Sequence, residues 1–242
     1  MSEDFLYTYP PLLKGKLLKR YKRFFADIEL DSGEIITAHC PNTGPMTGVC
    51  LVNNPVYVSS SDNPKRKLAY TWEMIQIHDI WVGINTSLPN RVIKLALEKR
   101  IFRDLVGENT LISPEVAYGE GKKSRIDFLL TEPLSSSPLT YIEVKNTTLA
   151  EGSTALFPDT VTTRGQKHLR ELMGILPDSQ AVMLYFINRE DCLHFGAGDA
   201  YDPDYGKLLR LGIQKGIRVL PCRFQVSPQG IRYLGLAMLD LG

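Results

Sequence analysis

The sequence lacks the features that mark secreted, membrane-spanning or zinc-binding proteins. Its four cysteines stand apart from one another, with no CxxC pair and no HxxxH companion, so we expect free, buried thiols rather than disulfides or a zinc site. No apolar run approaches the roughly 20 residues needed to cross a bilayer, and residues 1–16 carry acids where a secretory signal would be basic. These absences predict a soluble, cytoplasmic protein without a membrane partner.

An excess of charge of either sign is also missing, because 28 Lys and Arg residues face 27 Asp and Glu residues, for a formal net charge of +1. Whole-chain charge therefore says nothing about nucleic acid, and any basic surface must come from local clustering. Internal repeats and low-complexity tracts are absent too. With 242 residues, 43% of them hydrophobic, the chain is long enough for one large domain or two smaller ones.

The first third of the chain is predicted to form short strands separated by turns. The strand-like segments are residues 16–21, 24–30, 35–40, 56–58 and 69–78, with a Gly- and Pro-rich loop at residues 41–48. Five short strands without a long helix suggest a small barrel of the oligonucleotide-binding (OB) type. We assign this OB-like barrel to residues 1–84.

The rest of the chain alternates helices and strands, which predicts an α/β (α+β) domain over residues 85–242 with a mixed sheet and flanking helices. Helices are predicted at residues 87–106, 160–176 and 204–215, and strands at residues 115–118, 125–131, 139–147, 181–187, 218–226 and 231–239. The uninterrupted apolar run at residues 181–187 predicts a central strand that is buried on both faces.

Two of these strands carry the acids and the amine of one predicted site. Side chains alternate along a strand, so Glu143 and Lys145 project from one face, and pairing with the preceding strand would bring Asp127 beside them. Mg²⁺ prefers a few carboxylates with water completing its shell. Such an ion polarises a phosphate and offsets charge on the leaving oxygen. The pattern predicts a Mg²⁺ or Mn²⁺ site for phosphodiester hydrolysis, in which Lys145 orients or deprotonates the attacking water or stabilises the transition state.

Four further residues are candidates for the same site. The backbone carbonyl of Val144 is a candidate metal ligand, and Glu115 or Glu98 is a candidate third carboxylate. Helical spacing places Gln166 on the sheet-facing side of its helix, where it could contact water or phosphate. The alternatives are a structural ion pair for the acids and the lysine, and ordinary surface roles for Glu115 and Glu98.

Six basic residues crowd residues 14–23, a segment without acids, beside the aromatic residues Tyr21, Phe24 and Phe25, and a second basic cluster follows in a loop. A basic groove follows phosphates while aromatic faces stack bases, so this composition favours a DNA-binding surface. The candidate DNA contacts are Lys16, Lys19, Arg20, Tyr21, Lys22, Arg23, Lys65, Arg66, Lys67 and, on the flank of the second helix, Lys167. The alternative is a solvated face, and only one face of a strand can point at DNA.

The spacing of the acids and the lysine resembles the signature of the PD-(D/E)xK nuclease superfamily. Asp127 is followed by a gap of fifteen residues and then by Glu143-x-Lys145, within a helix, three strands, a helix and a strand. One departure is that Ile126 stands where the superfamily has proline, a position that carries no chemistry. The chain more closely resembles the sugar fermentation stimulation protein A family, through CPNTG at 40–44, SDNPKRK at 61–67, SRIDF at 124–128, YIEVK at 141–145, FPD at 157–159 and RGQKHL at 164–169.

This resemblance implies an OB-like domain before a nuclease-like domain, DNA binding without strong sequence preference, and a link to the regulation of maltose metabolism. Two hypotheses follow. One is a DNA-binding protein with a Mg-dependent deoxyribonuclease centre, and the other is a non-catalytic DNA-binding regulator of sugar metabolism genes. The presence of both acids and the lysine favours the first, while single- or double-strand preference and oligomeric state stay open.

Overall fold

The computed structural model describes residues 5–119, 121, 123–133 and 137–242, and within them the chain forms seventeen strands and three helices. The first elements are β1 (Tyr7–Thr8), β2 (Leu12–Tyr21), β3 (Phe25–Leu30), β4 (Ile35–His39), β5 (Pro55–Ser60), β6 (Tyr70–Ile77) and β7 (Ile80–Gly83). They are followed by α1 (Leu88–Glu98), β8 (Leu111–Tyr118), β9 (Ser124–Thr131), β10 (Thr140–Thr147), β11 (Ala150–Glu151), β12 (Thr154–Phe157), α2 (Thr163–Gly174), β13 (Gln180–Ile187), β14 (His194–Ala197), α3 (Pro203–Gln214), β15 (Arg218–Val226), β16 (Gly230–Leu236) and β17 (Met238–Leu239). No helix among these described residues is both long and apolar enough to span a membrane.

Strands β2 to β6 close into a five-stranded barrel in the order β2-β3-β4-β6-β5 and back to β2. All pairs are antiparallel except the closing pair of β4 and β6, where Ala38 lies opposite Tyr70. Alternate residues of β3 are buried, and they pack with Leu17 and Trp72 inside the barrel. The predicted OB-like barrel is therefore confirmed.

The second part of the chain is built on a mixed sheet with helices on both faces. Strands β10, β13 and β15 run parallel in the middle, and β9 and β8 continue antiparallel on one side. Alternate residues of β13 pack into two different cores. Val182 and Leu184 join the core beneath α1, while Met183 and Tyr185 join the core beneath α2 and α3. The prediction of a central strand buried on both faces is confirmed.

Two features of this part differ from the prediction. The first helix ends at Glu98 rather than near residue 106, and Arg100 adopts a left-handed φ of 54° in the turn that follows. Phe102 and Val106 nevertheless pack in the same core as α1, because the turn folds them back onto it. A small second sheet of β11, β12, β14 and β17 was not predicted, since its strands have only two to four residues each.

The two parts share one sheet, and the core beneath α1 contains residues of both. Barrel strand β6 pairs with β7, and β7 pairs with β15 through Trp81 and Val226. Strand β1 pairs with β16, and Leu6 and Tyr9 beside it are buried in the core under α1. The boundary at residue 84 stays a prediction, but the first described residues pack within the second part of the molecule.

Candidate active site

The candidate site lies where β9 and β10 separate. The ladder between them covers Thr140 to Ile142, and beyond Ile142 the N–H of Val144 donates instead to Asp127 Oδ2 at 2.7 Å. This divergence opens a pocket of about 540 Å³ and brings the predicted trio together in it. The residues that line the pocket are Thr86, Ser87, Pro89, Asn90, Glu115, Asp127, Glu143, Val144, Lys145, Asn146, Arg164 and His168.

The carboxyl group of Asp127 is held from two sides. Asn90, in the first turn of α1, donates to its Oδ1 at 2.7 Å, and the Val144 N–H holds its Oδ2. Burial and the nearby charge of Glu143 raise the pKa of Asp127 to about 6, against the lowering effect of these hydrogen bonds and of Lys145. A cation placed beside this group would favour the carboxylate form.

Glu143 is 3% exposed and has two distinct oxygens. Its Oε1 accepts hydrogen bonds from Lys145 Nζ at 2.6 Å and from His168 Nδ1. Burial alone would raise the pKa of Glu143, but the hydrogen bond from His168 and the charge of Lys145 lower it, so the group is ionised. Its Oε2 is buried and has no hydrogen-bond partner among the described residues.

Two residues of α2 complete the site, and the sequence analysis missed both. Arg164 and His168 are four positions apart and therefore lie on one face of the helix. Arg164 Nε donates to His168 Nε2 at 3.4 Å, which leaves Nδ1–H to donate to Glu143; we assign the tautomer from these neighbours. The histidine looked isolated in the sequence, and only the i, i+4 spacing to an arginine could have indicated it.

Gln166 does not reach the pocket, contrary to the prediction. Its Nε2 donates to both carboxylate oxygens of Asp202, at 3.0 and 3.1 Å, and Asp202 caps the N-terminus of α3. Gln166 therefore joins α2 to α3. The buried residues of the helix are Gly165, His168, Leu169 and Leu172, and Gln166 lies half-buried at the edge of this face, on the side of α3 rather than of the pocket.

Of the other predicted ligands, Glu115 and Val144 line the pocket and Glu98 does not. Glu115 is exposed but lines the pocket, because it adopts a left-handed φ of 53° at the position of β8 that faces Asp127. Val144 also lines it, with its N–H already used by Asp127. Glu98 lies outside the pocket, half-exposed on α1 in an ion pair with Lys94 at 3.7 Å, and is therefore not the third carboxylate. Whether Glu115 and Val144 bind metal stays a prediction.

The donor set fits a hard divalent cation. Among the described residues, no group of three or more His, Cys, Asp or Glu side chains is arranged to hold a metal. Mg²⁺, however, requires only one or two protein carboxylates, with water and substrate oxygens in the remaining positions. The unpartnered Oε2 of Glu143 and the raised pKa of Asp127 are both features that a cation between the two acids would relieve.

The predicted DNA-binding residues of β2 contact acids of the neighbouring strand β3. Lys16 Nζ lies 3.2 Å from Glu29, and Lys19 Nζ lies 3.2 Å from Asp27. Tyr21 donates to Asp27 at 3.2 Å and stacks on the ring of Phe25. These ion pairs contribute little to stability, and phosphate contacts by the two lysines stay a prediction.

Two arginines of the same segment have a structural role that the sequence did not predict. Arg20 Nη2 donates to the carbonyls of Asn42 and Gly44, each at 2.9 Å, and Arg23 Nε donates to the carbonyl of Thr43 at 2.8 Å. They fix the loop at residues 41–48 against the barrel. Arg20 is half-buried there, so its guanidinium group is committed to the loop rather than to DNA.

The remaining basic candidates lie on the surface. Lys22, Lys65 and Lys67 are exposed, and Arg66 Nη2 donates to Thr71 Oγ1 at 2.8 Å. Lys167 contacts Ser124 Oγ at 2.9 Å and Glu171 at 3.4 Å, and about half of its side chain is exposed. DNA contacts by these five residues stay a prediction.

Comparison with solved structures agrees with this architecture. The fold is similar to that of Pyrococcus furiosus SfsA, solved in complex with Ca²⁺, with a TM-score of 0.87. The alignment covers 98% of this chain and 100% of the other, at 23% sequence identity. At that identity the likeness establishes the fold alone, a barrel followed by a sheet-rich second part.

Sequence comparison identifies the family. The SfsA N-terminal OB domain matches residues 18–84, and the sugar fermentation stimulation protein RE domain matches residues 87–230. A sugar fermentation stimulation protein homolog of Rippkaea orientalis is 65% identical over 237 residues, 98% of each chain, and one of Microcystis aeruginosa is 65% identical over 241 residues, the full length of both. The two family models together cover most of the chain, and both relatives match it over nearly their whole length. The chain therefore belongs to the sugar fermentation stimulation protein (SfsA) family.

Proposed function

We propose that this protein binds DNA and hydrolyses phosphodiester bonds with the help of a divalent cation held by Asp127 and Glu143. The observation that carries the proposal is the Oε2 atom of Glu143, which is buried and unpartnered among the described residues in the same pocket as Asp127. A buried carboxylate oxygen without a partner is costly unless a ligand satisfies it.

The cation would be Mg²⁺ or Mn²⁺, held by Asp127, Glu143 and the Val144 carbonyl, with Glu115 at the rim of the same pocket. When bound, such an ion polarises the phosphate and helps to form the hydroxide nucleophile. The P. furiosus protein was solved in complex with Ca²⁺, another cation that takes oxygen ligands, which supports a divalent ion.

The protein's own residues supply charge and position. Lys145, with only 13% of its side chain exposed, holds an ammonium group at the pocket wall, where it can orient water or stabilise charge on the phosphate. Arg164 lines the same pocket and offers a guanidinium group to phosphate oxygens. His168 keeps Glu143 ionised, and Asn90 fixes the orientation of Asp127.

The barrel would hold the DNA. Lys22, Lys65 and Lys67 extend into solvent from two loops of the barrel and can each neutralise a phosphate. We expect binding to weaken as salt concentration rises, with little dependence on sequence, because phosphate contacts carry no base information.

The second candidate is a non-catalytic DNA-binding regulator of sugar (maltose) metabolism genes, the role that the family name suggests. One observation favours it. Lys145 already lies beside Glu143 in a hydrogen bond of 2.6 Å, so this buried acid has a counter-charge without any ion.

The experiment that separates the two candidates combines cleavage with cation binding. Labelled single- and double-stranded DNA is incubated with the protein and Mg²⁺ or Mn²⁺, and Mn²⁺ binding is measured by calorimetry. We expect cleavage and Mn²⁺ binding in the wild type, loss of both in Asp127→Ala and Glu143→Gln, and cleavage reduced about 100-fold or more in Lys145→Met with Mn²⁺ still bound.

The matched control is Glu98→Gln, which removes an exposed acid outside the pocket and should change neither readout. Salt-sensitive DNA binding without cleavage in any of these proteins would support the regulator. Cleavage that survives in Asp127→Ala would reject the assigned site.

A further inference from the structure

Two loops of the barrel that are distant in the sequence line one pocket on its surface. The turn between β2 and β3 carries Phe24, and the loop between β5 and β6 carries Arg66 and Lys67. Together with Phe25, His39 and Leu68 they line one open pocket of about 400 Å³, which we call the Phe24 pocket. Neither loop contributes to the pocket around Asp127 and Glu143. In OB barrels the loops that follow the first and fourth strands border the oligonucleotide-binding face, and here these are the two loops concerned.

The lining of the Phe24 pocket is apolar and basic, with no acid in it. Phe24 is 49% exposed, and its ring has no aromatic neighbour among the described residues, whereas the ring of Phe25 stacks on Tyr21 at 5.4 Å. Arg66 and Lys67 are also exposed and line the same pocket from the loop between β5 and β6. An exposed planar ring beside two cations is complementary to a flat base joined to phosphates.

The position of Phe24 is fixed before any ligand arrives. Lys22 and Arg23 adopt left-handed φ values of 47° and 65° in the tight turn, and the Phe24 carbonyl accepts the N–H of Cys40 at 2.7 Å. Arg23 also binds the carbonyl of Thr43. These contacts hold the backbone at Phe24, so less conformational entropy is lost when the side chain is ordered on binding, which favours affinity.

We propose that the Phe24 pocket binds an unpaired nucleobase, which stacks on the Phe24 ring while Arg66 and Lys67 contact the adjacent phosphates. This inference rests on the proposed DNA binding by the barrel and adds a substrate class to it, namely single-stranded or locally unpaired DNA. Stacking requires a free base face, and in a duplex both faces of each base are covered by its neighbours. The barrel should therefore prefer single strands.

The test measures fluorescence anisotropy with three probes: a labelled thymine strand of about 12 nucleotides, within the site size of an OB fold, the same strand with abasic residues at its centre, and a duplex of the same length. We expect the wild type to bind the intact single strand most tightly. Phe24→Ala should weaken that binding about 5- to 100-fold, the effect of losing one base–aromatic stack. It should change binding of the abasic strand and the duplex by less than about twofold, whereas Phe24→Trp should retain tight binding of the intact strand.

The matched control is Ile35→Ala, which removes an apolar side chain that is 65% exposed at the opposite end of β4 from His39. It should bind all three probes like the wild type. The inference is overturned if Phe24→Ala binds the single strand normally, if it weakens all three probes equally, or if the wild type binds none of them. Cleavage is followed in the same samples. If the protein cleaves DNA but Phe24→Ala leaves single-strand binding unchanged, only this inference is rejected. If Phe24→Ala weakens single-strand binding as expected but no cleavage is seen, only the proposed hydrolysis is rejected.

Discussion

At the scale of single residues, the charge of Asp127 ties stability to pH and to cations. Folding raises its pKa from 3.8 to about 6, so its contribution to stability is complete below about pH 4 and is lost as pH rises through 6. A shift of this size corresponds to about 3 kcal/mol. Asp127→Asn removes the charge, and we expect it to be about 1–3 kcal/mol more stable than the wild type at pH 8 without divalent cations.

Urea denaturation at pH 5 and pH 8 measures this prediction. The difference should shrink at pH 5, where the wild-type carboxyl is mostly protonated, and Mn²⁺ at pH 8 should stabilise the wild type but not the variant. Glu98→Gln should behave like the wild type throughout. An Asp127→Asn protein that is less stable than the wild type at pH 8 would contradict the assigned cause of the raised pKa.

His168 acts through Glu143 rather than on the substrate. Its Nδ1–H helps to lower the pKa of Glu143, so His168→Leu should raise that pKa and move the acid limb of the pH–rate profile to higher pH. We expect cleavage at neutral pH to fall about 10- to 100-fold. His168→Asn places an amide N–H near the position of Nδ1 and should restore both the rate and the profile. Equal losses in the two variants with an unmoved profile would reject this positioning role.

At the scale of elements, a buried joint fixes α1 to the barrel. Asn85 donates to Glu73 Oε2 at 2.8 Å, and its Oδ1 accepts from the N–H of Ser87 at 3.1 Å and from its hydroxyl at 2.6 Å. Burial raises the pKa of Glu73, which also accepts from Ser59 at 2.6 Å. Because α1 carries Asn90, this joint sets the position of the residue that holds Asp127.

We expect Asn85→Ala to lose about 1–3 kcal/mol of stability, because it leaves a buried Glu73 oxygen without its donor. Cleavage should fall with it, since the first turn of α1 is no longer fixed. Ser87→Ala removes only one hydroxyl from the same joint and serves as the control, with a smaller effect on both. Urea denaturation and the cleavage rate measure the pair. If the two variants behave alike, the joint does not depend on Asn85.

The elements also show which structural features sequence patterns can predict. Short segments separated by turns indicated the barrel strands, the apolar run indicated β13, and strand spacing placed Asp127, Glu143 and Lys145 together. The helical contributors were missed, as His168 illustrates, because an apolar pattern places the buried face of α2 but does not indicate which polar residues along it reach the site and which reach α3. The error over Gln166 has the same origin. The strands β11, β12, β14 and β17 are too short for a local pattern, and two of their three pairings join distant parts of the chain.

At the scale of the whole molecule, one continuous sheet runs from the barrel through β7 and β15 to β8, so the two parts should unfold together. Gly83 lies at this joint, where its N–H and carbonyl both bind Asn188. A Cβ at Gly83 would collide with the side-chain amide of Asn188. We expect Gly83→Ala to lose about 1–3 kcal/mol, as overpacked sites do, and to separate the two transitions.

Two probes measure this coupling. Both the wild type and Gly83→Ala are measured in a Trp81→Phe background, so that Trp72, which is buried in the barrel, is the remaining tryptophan and its fluorescence reports on the barrel. Helices α1, α2 and α3 all lie in the second part and dominate the helical circular dichroism signal. The two denaturation curves should coincide in the wild type and diverge in Gly83→Ala. The Ile35→Ala variant is the control for a mild barrel mutation. Wild-type curves with different midpoints would show that the shared sheet does not couple the two parts.

Strand β8 ends the path of this sheet and leaves one side open. Pro114 supplies no N–H there, Glu115 interrupts the extended backbone with its left-handed φ, and its carbonyl is already bound by Arg125 Nη1 at 2.7 Å. A second chain that approached this edge would find no regular row of donors and acceptors to continue. The kink that directs an acid toward the pocket thus also protects a long sheet against self-association.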